Sequence, residues 1–112
     1  MSREYDKLVR DSIPEIVERN GDVPVTRAVS GDEYERYLLA KLQEEVDEYV
    51  ESRDREELAD ILEVVHAIRE FEDLSEQELD TYRDRKAEEN GRFADRIVLE
   101  RVESRSEAAD DG

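Results

Sequence analysis

The chain has no cysteine and no tryptophan, two prolines, four glycines, and few aromatic residues, five Tyr and two Phe. Without cysteine there can be no disulfide staple, no thiolate nucleophile and no sulfur-ligated metal, which fits a reducing cytoplasm. Positive charge is also scarce. Seventeen Lys and Arg stand against 34 Asp and Glu, a formal net charge of -17. Binding a phosphate backbone or an anionic membrane needs a basic footprint, so neither a nucleic-acid duplex nor a membrane is expected as a partner. Long apolar runs are missing as well. The longest stretch free of Asp, Glu, Lys and Arg is Val64 to Ile68, far short of the roughly 20 residues of a membrane span. The opening residues Met1 to Glu4 contain no apolar run that would read as a secretory signal. The expectation is a cytoplasmic protein.

Nearly half of the 112 residues are charged, and at this length they can build one modest domain. Arginine is the preferred cation, 14 residues against Lys7, Lys41 and Lys86. Such a carboxylated surface repels itself at low ionic strength and is screened in concentrated salt, which points to a halophilic protein.

Hydrophobic periodicity and capping signals predict an all-α fold of about four helices. Ser12-Ile13-Pro14-Glu15 announces a short first helix that stops near Asn20-Gly21. Ser30-Gly31-Asp32-Glu33 opens a long second helix reaching about Ser52, and a third runs from about Asp54 to Glu72. Ser75 to Glu78 repeats the cap pattern and begins a fourth, ending before Asn90-Gly91. Residues 23–29 are rich in β-branched side chains, and Ile97-Val98-Leu99 reads as a short strand. Together they predict a minor two-stranded β element. Residues 1–102 are read as a single domain and 103–112 as a flexible acidic tail.

Acids fall in unexpected places on the two long helices. At about 100° per residue, Leu38, Leu42, Val46 and Tyr49 form an apolar stripe flanked by Leu39 and Val50. Glu45 borders that stripe, with Lys41 and Glu48 beyond it. On the third helix Leu58, Ile61, Leu62, Val65 and Ile68 form the core face, extended by Val64 and Phe71. Glu56, Glu63 and Glu70 occupy the solvent side, but Glu57 and Asp60 lie among Ile61, Val64, Ala67 and Phe71. An unpaired carboxylate there would cost several kcal/mol.

The short link around Ser52-Arg53 predicts an antiparallel hairpin, in which residues equidistant from the turn face one another. Glu48 then faces Glu57 and Glu45 faces Asp60, the two pairs roughly 4.5 Å apart along the axis. Four inward acids so close need compensation by protons, by Lys or Arg, or by divalent cations. A salt-bridge cluster around Lys41 would satisfy them in a purely structural way. Two Glu-x-x-acid pairs in register favour a metal site, with Glu45, Glu48, Glu57 and Asp60 as ligands. Oxygen ligands without a suitably spaced His or Cys favour Mg²⁺, with Mn²⁺ as a substitute. The only histidine, His66, borders core and solvent away from Glu57 and Asp60 and is read as structural. A di-iron site of the Glu-x-x-His kind is thereby disfavoured.

These residues resemble a known signature. Lys41-Leu42-Gln43-Glu44-Glu45-Val46-Asp47-Glu48 followed by Glu57-Leu58-Ala59-Asp60 is similar to the E-E-x-x-E and E-x-x-D motifs of the MazG-like all-α nucleoside triphosphate pyrophosphohydrolases. The opening Tyr5-Asp6-Lys7-Leu8-Val9-Arg10-Asp11-Ser12-Ile13-Pro14 and the closing Lys86 through Phe93 to Leu99 resemble the phosphoribosyl-ATP pyrophosphohydrolase-like branch. In the closing segment Asn90, Gly91 and Arg92 depart from the basic residue and paired glycines expected there.

The resemblance implies a helical bundle that forms homodimers or higher homo-oligomers. It also implies Mg²⁺-dependent cleavage of a nucleoside triphosphate to monophosphate and pyrophosphate, in the sense of clearing noncanonical or surplus nucleotides. Glu44 matches the first Glu of the motif, and Glu44 and Glu48 are the candidate catalytic bases. Lys41, Lys7, Arg10 and Lys86 are candidate substrate contacts, although Lys41 could equally neutralise Glu45. Tyr34, Tyr37 and Tyr49 are read as packing or interface residues. Two other functions fit parts of the pattern: the phosphoribosyl-ATP pyrophosphohydrolase reaction of histidine biosynthesis, and a non-catalytic acidic helical interaction protein.

Overall fold

The computed structural model describes residues 2–105. Four helices follow in order: α1 (Ile13–Arg19), α2 (Gly31–Ser52), α3 (Arg55–Phe71) and α4 (Glu76–Asn90). The all-α expectation holds. The two-stranded β element does not, since no strand occurs among the described residues. Val23 and Val25 stand almost fully in solvent, as do Ile97, Val98 and Leu99. β-branched side chains favour a pleated surface but cannot supply the paired backbone that makes a strand. Pro24 also withholds a donor from any such ladder. The acidic tail expected over 103–112 lies outside the described residues from 106 onward.

The chain divides into two units between Leu79 and Asp80, inside α4. The first is built on the α2–α3 hairpin, whose two helices pack on each other. Its link is only Arg53 and Asp54. Arg53 adopts the left-handed conformation (φ 62°) and donates its backbone N–H to the Tyr49 carbonyl at 2.8 Å, closing the last turn of α2. Ser52 Oγ accepts from Asp54 N at 3.1 Å. At the open end Tyr34, near the start of α2, meets Phe71, at the end of α3, edge to face with centroids 5.6 Å apart. The helices are therefore antiparallel.

The caps differ from the sequence pattern at two of three helix starts. Neither Ser12 nor Ser30 makes a side-chain cap. At Ser30 the reason is visible: Arg27 takes both oxygens of Glu33, at 3.1 and 2.8 Å, so Glu33 is diverted from the capping box. The third box forms as expected. Glu78 N donates to Ser75 Oγ at 3.0 Å while Ser75 N donates to Glu78 Oε1 at 3.1 Å. These bonds hold the Glu78 carboxyl below the usual range. The α3–α4 turn is tied by Arg69, which donates to the Leu74 carbonyl at 2.6 Å and to His66, itself paired with Glu70 at 3.0 Å. His66, expected to be structural, is held in these contacts at the α3–α4 turn.

The apolar stripes are wider than one hairpin can cover. Leu38 (1% exposed) and Val64 (8%) are the buried hydrophobic residues among those described, while Leu39, Val46, Val50, Leu58 and Leu62 remain exposed. Val46, Leu58 and Leu62 were expected in the core. A single helix facing α2 shields only the part of the stripe turned directly toward it.

In the second unit α4 ends at Asn90, and Gly91 (φ 82°) takes the left-handed position that only glycine occupies freely. Arg83 pairs with Asp80 and Arg92 with Asp84. Residues 91–104 are irregular, with Phe93, Ile97, Val98, Leu99 and Val102 exposed. No helix of the described residues is long and apolar enough to cross a membrane.

Candidate metal centre

The hairpin brings three of the four expected ligands to one point. Glu45 of α2 and Glu57 and Asp60 of α3 each offer an oxygen, and these atoms lie within 4.8 Å of one another. The reason is the register set by the two-residue link. Glu57 and Asp60 are three residues apart and so share a face of α3, which the antiparallel pairing turns toward Glu45.

Glu45 is the least ordinary member. It is 5% exposed, and its Oε2 is buried without a hydrogen-bond partner among the described residues. The other oxygen, Oε1, is ion-paired with Lys41 Nζ at 3.1 Å. Oε2 of Glu57 is likewise buried and unpartnered. Two buried carboxylate oxygens without partners, on residues of one cluster, are costly unless a proton or cation satisfies them. Burial, the neighbouring Glu48 by its charge and a shared hydrogen bond, and then the charges of Asp60 and Glu45 push the Glu57 carboxyl up to about 7. Glu48 is exposed and stands beside Glu57 rather than within the three-oxygen set.

Basic side chains from the N-terminal segment frame the acids. Arg10 donates to Asp60 Oδ1 at 2.8 Å, and Lys7 pairs with Glu44 Oε1 at 3.0 Å. Lys41 also reaches Glu44, at 3.5 Å, so Glu44 lies between two ammonium groups. Partial burial pushes its carboxyl up, but the Lys7 hydrogen bond and the charges of Lys41 and Lys7 outweigh this and hold it below the usual carboxylate range. Lys7, hydrogen-bonded to Glu44, is raised in turn. Lys86 is an exposed residue of α4 in the second unit.

Beside the acids lies a cavity of about 330 Å³ whose walls include Asp6, Lys7, Arg36, Tyr37, Lys41 and Glu44. Asp6, Arg36 and Glu33 were not singled out by sequence, and Tyr37 was read as a packing residue. A signal existed: Glu33, Tyr37, Lys41 and Glu44 are spaced by four, four and three residues, so they line one face of α2.

The donor set suits a hard divalent cation. All three ligands are carboxylates, and Mg²⁺ takes such oxygens together with water and substrate phosphate. The orphaned oxygens of Glu45 and Glu57 are where a charge of two would offset the burial cost, and Asp60 retains a second oxygen beside the one held by Arg10.

Comparison with known proteins adds one partial relative. Over 42 residues the chain is 55% identical to an uncharacterized protein of Mycolicibacterium smegmatis, a match covering 38% of this chain and 43% of that protein. No family model and no solved structure matches.

Proposed function

We propose that the chain is a Mg²⁺-dependent nucleoside triphosphate pyrophosphohydrolase, converting a triphosphate and water to a monophosphate and pyrophosphate, with Mn²⁺ able to replace Mg²⁺. The observation that supports this best is the cluster of Glu45, Glu57 and Asp60, each offering an oxygen within 4.8 Å of the others, in which Glu45 and Glu57 each carry a buried, unpartnered Oε2. An acidic pocket excludes a polyphosphate unless divalent charge intervenes, and a bound ion supplies that charge.

Glu45, Glu57 and Asp60 would hold the ion. Lys41 and Lys7, next to Glu44, would orient phosphate oxygens. Arg10, exposed at the edge of the cluster, would follow the substrate or stay on Asp60. Of the two candidate bases, Glu48 is better placed. Its carboxylate is exposed beside Glu57, whereas Glu44 is committed to two lysines and held at low basicity. Glu48 would accept the proton of the attacking water, the general-base role. The exposed aliphatic residues of the hairpin support a homodimer or higher homo-oligomer, and the net charge of -17 supports adaptation to high salt.

The test is a screen of nucleoside triphosphates with Mg²⁺ in high salt, reading pyrophosphate against orthophosphate, with phosphoribosyl-ATP included to separate the histidine-pathway reaction. Pyrophosphate is expected from at least one substrate. Glu57→Gln and Asp60→Asn should abolish it while circular dichroism shows the helices intact. Folded protein that yields pyrophosphate from none of these substrates would support a non-catalytic acidic interaction protein instead.

A further inference from the structure

The cavity beside the cluster differs in character from the rest of a strongly acidic chain. Its lining carries three cations, Lys7, Arg36 and Lys41, and three carboxylates, Asp6, Glu33 and Glu44, so it is balanced in charge. Most of these groups are already engaged. Glu44 holds Lys7 and Lys41, Glu33 is forked by Arg27, and Asp6 Oδ1 accepts from the Tyr37 hydroxyl at 2.5 Å. Arg36 makes no hydrogen bond or ion pair among the described residues and acts on Glu33 through its charge alone. Asp6 itself is held at φ 42°, a left-handed conformation that Asp tolerates at some cost, and the Tyr37 hydroxyl pins it there.

The cavity also runs in a definite direction. From Tyr37 to Glu45 along α2 is roughly 12 Å at the helical rise of 1.5 Å per residue, and Lys41 lies between. The end of the depression lined by Lys41 and Glu44 is therefore the one next to Glu45 of the acidic cluster, and the far end offers Arg36 donors, an Asp6 acceptor, and the Tyr37 side chain. Leu8 and Ala40 add apolar wall. A phosphate at the far end would meet the carboxylates of Asp6 and Glu33. An uncharged heterocycle carrying both donors and acceptors meets complementary groups, and a volume of about 330 Å³ lies in the range of small-molecule sites.

We infer that this cavity is the specificity pocket for the nucleoside end of the substrate, with Arg36 donating to the base or sugar and Asp6 accepting from it. The inference rests on the pyrophosphohydrolase reading for the position of the phosphates, but the pocket is tested apart from turnover. Non-hydrolysable α,β-methylene nucleoside triphosphates and inorganic tripolyphosphate are titrated calorimetrically with Mg²⁺, and Mn²⁺ alone is titrated in parallel. At least one nucleotide should bind about tenfold or more tightly than tripolyphosphate, the scale of one or two hydrogen bonds to charged groups. Arg36→Met should erase that margin while leaving Mn²⁺ affinity as in the parent chain. Asp6→Asn should change the order of preference among bases.

Tripolyphosphate binding as tight as every nucleotide would overturn the assignment. So would a loss in Arg36→Met that is equal for tripolyphosphate and nucleotide, since Arg36 would then be a phosphate contact. Absence of Mn²⁺ binding would instead remove the metal centre. In that case nucleotide binding that still depends on Arg36 would leave the pocket standing alone.

Discussion

At the scale of single residues, Glu57 couples the candidate site to stability. Its carboxyl is raised to about 7 in the fold by burial and by Glu48, Asp60 and Glu45, so the folded state binds this proton more tightly than the unfolded chain does. The resulting stabilisation is complete below the ordinary glutamate pKa, about 4.3, and is lost as pH rises through about 7. The metal-free protein should therefore melt at progressively lower temperature between about pH 5 and pH 7.5. Mg²⁺ or Glu57→Gln should flatten that slope, as a thermal-shift series would show. Glu33, Glu44 and Glu78 are lowered. Their contributions disappear only as pH falls below the ordinary glutamate range, so they do not mask the effect. The clustered acids Glu45, Glu57 and Asp60 were legible in the sequence because helical periodicity alone puts them at the edge of, or within, apolar faces. The contacts of Lys7 with Glu44 and of Arg10 with Asp60 were not. They join an irregular segment to helices 37 and 50 residues away, and no local pattern encodes such a meeting.

Among the elements, the three serine caps separate pattern from realised bond. Ser75→Ala removes a hydroxyl that accepts from Glu78 N and should cost about 1 kcal/mol in chemical denaturation if α4 unfolds with the rest, or fray its first turn in amide exchange. Ser30→Ala removes no side-chain cap and should cost clearly less in the same measurement. The helix positions were readable because capping residues, glycines and apolar spacing agree over long segments. The β element was misread because Val23, Val25 and Ile97 to Leu99 have strand composition without a paired backbone. The competition of Arg27 for Glu33 was also hidden, since it depends on where the loop before α2 folds back.

For the molecule as a whole, charge and uncovered apolar surface set the expected behaviour. With a net charge of -17, helicity by circular dichroism and melting temperature should both rise from near-zero to molar KCl, as screening relieves self-repulsion. Leu39, Val46, Val50, Leu58 and Leu62 leave the hairpin with aliphatic surface toward solvent, so light scattering should report a multiple of the monomer mass. Leu62→Glu should shift it toward the monomer by placing a charge in the contact. The limit of legibility here is geometric: the sequence shows how wide an apolar stripe is, but not how much of it one neighbouring helix can shelter. Leu38 and Val64, the two enclosed hydrophobic residues described, are a small anchor for a chain of this length. If copies must meet to finish the interior, folding becomes a reaction whose order exceeds one. Melting temperature then climbs with protein concentration, and dilution itself acts as a denaturant.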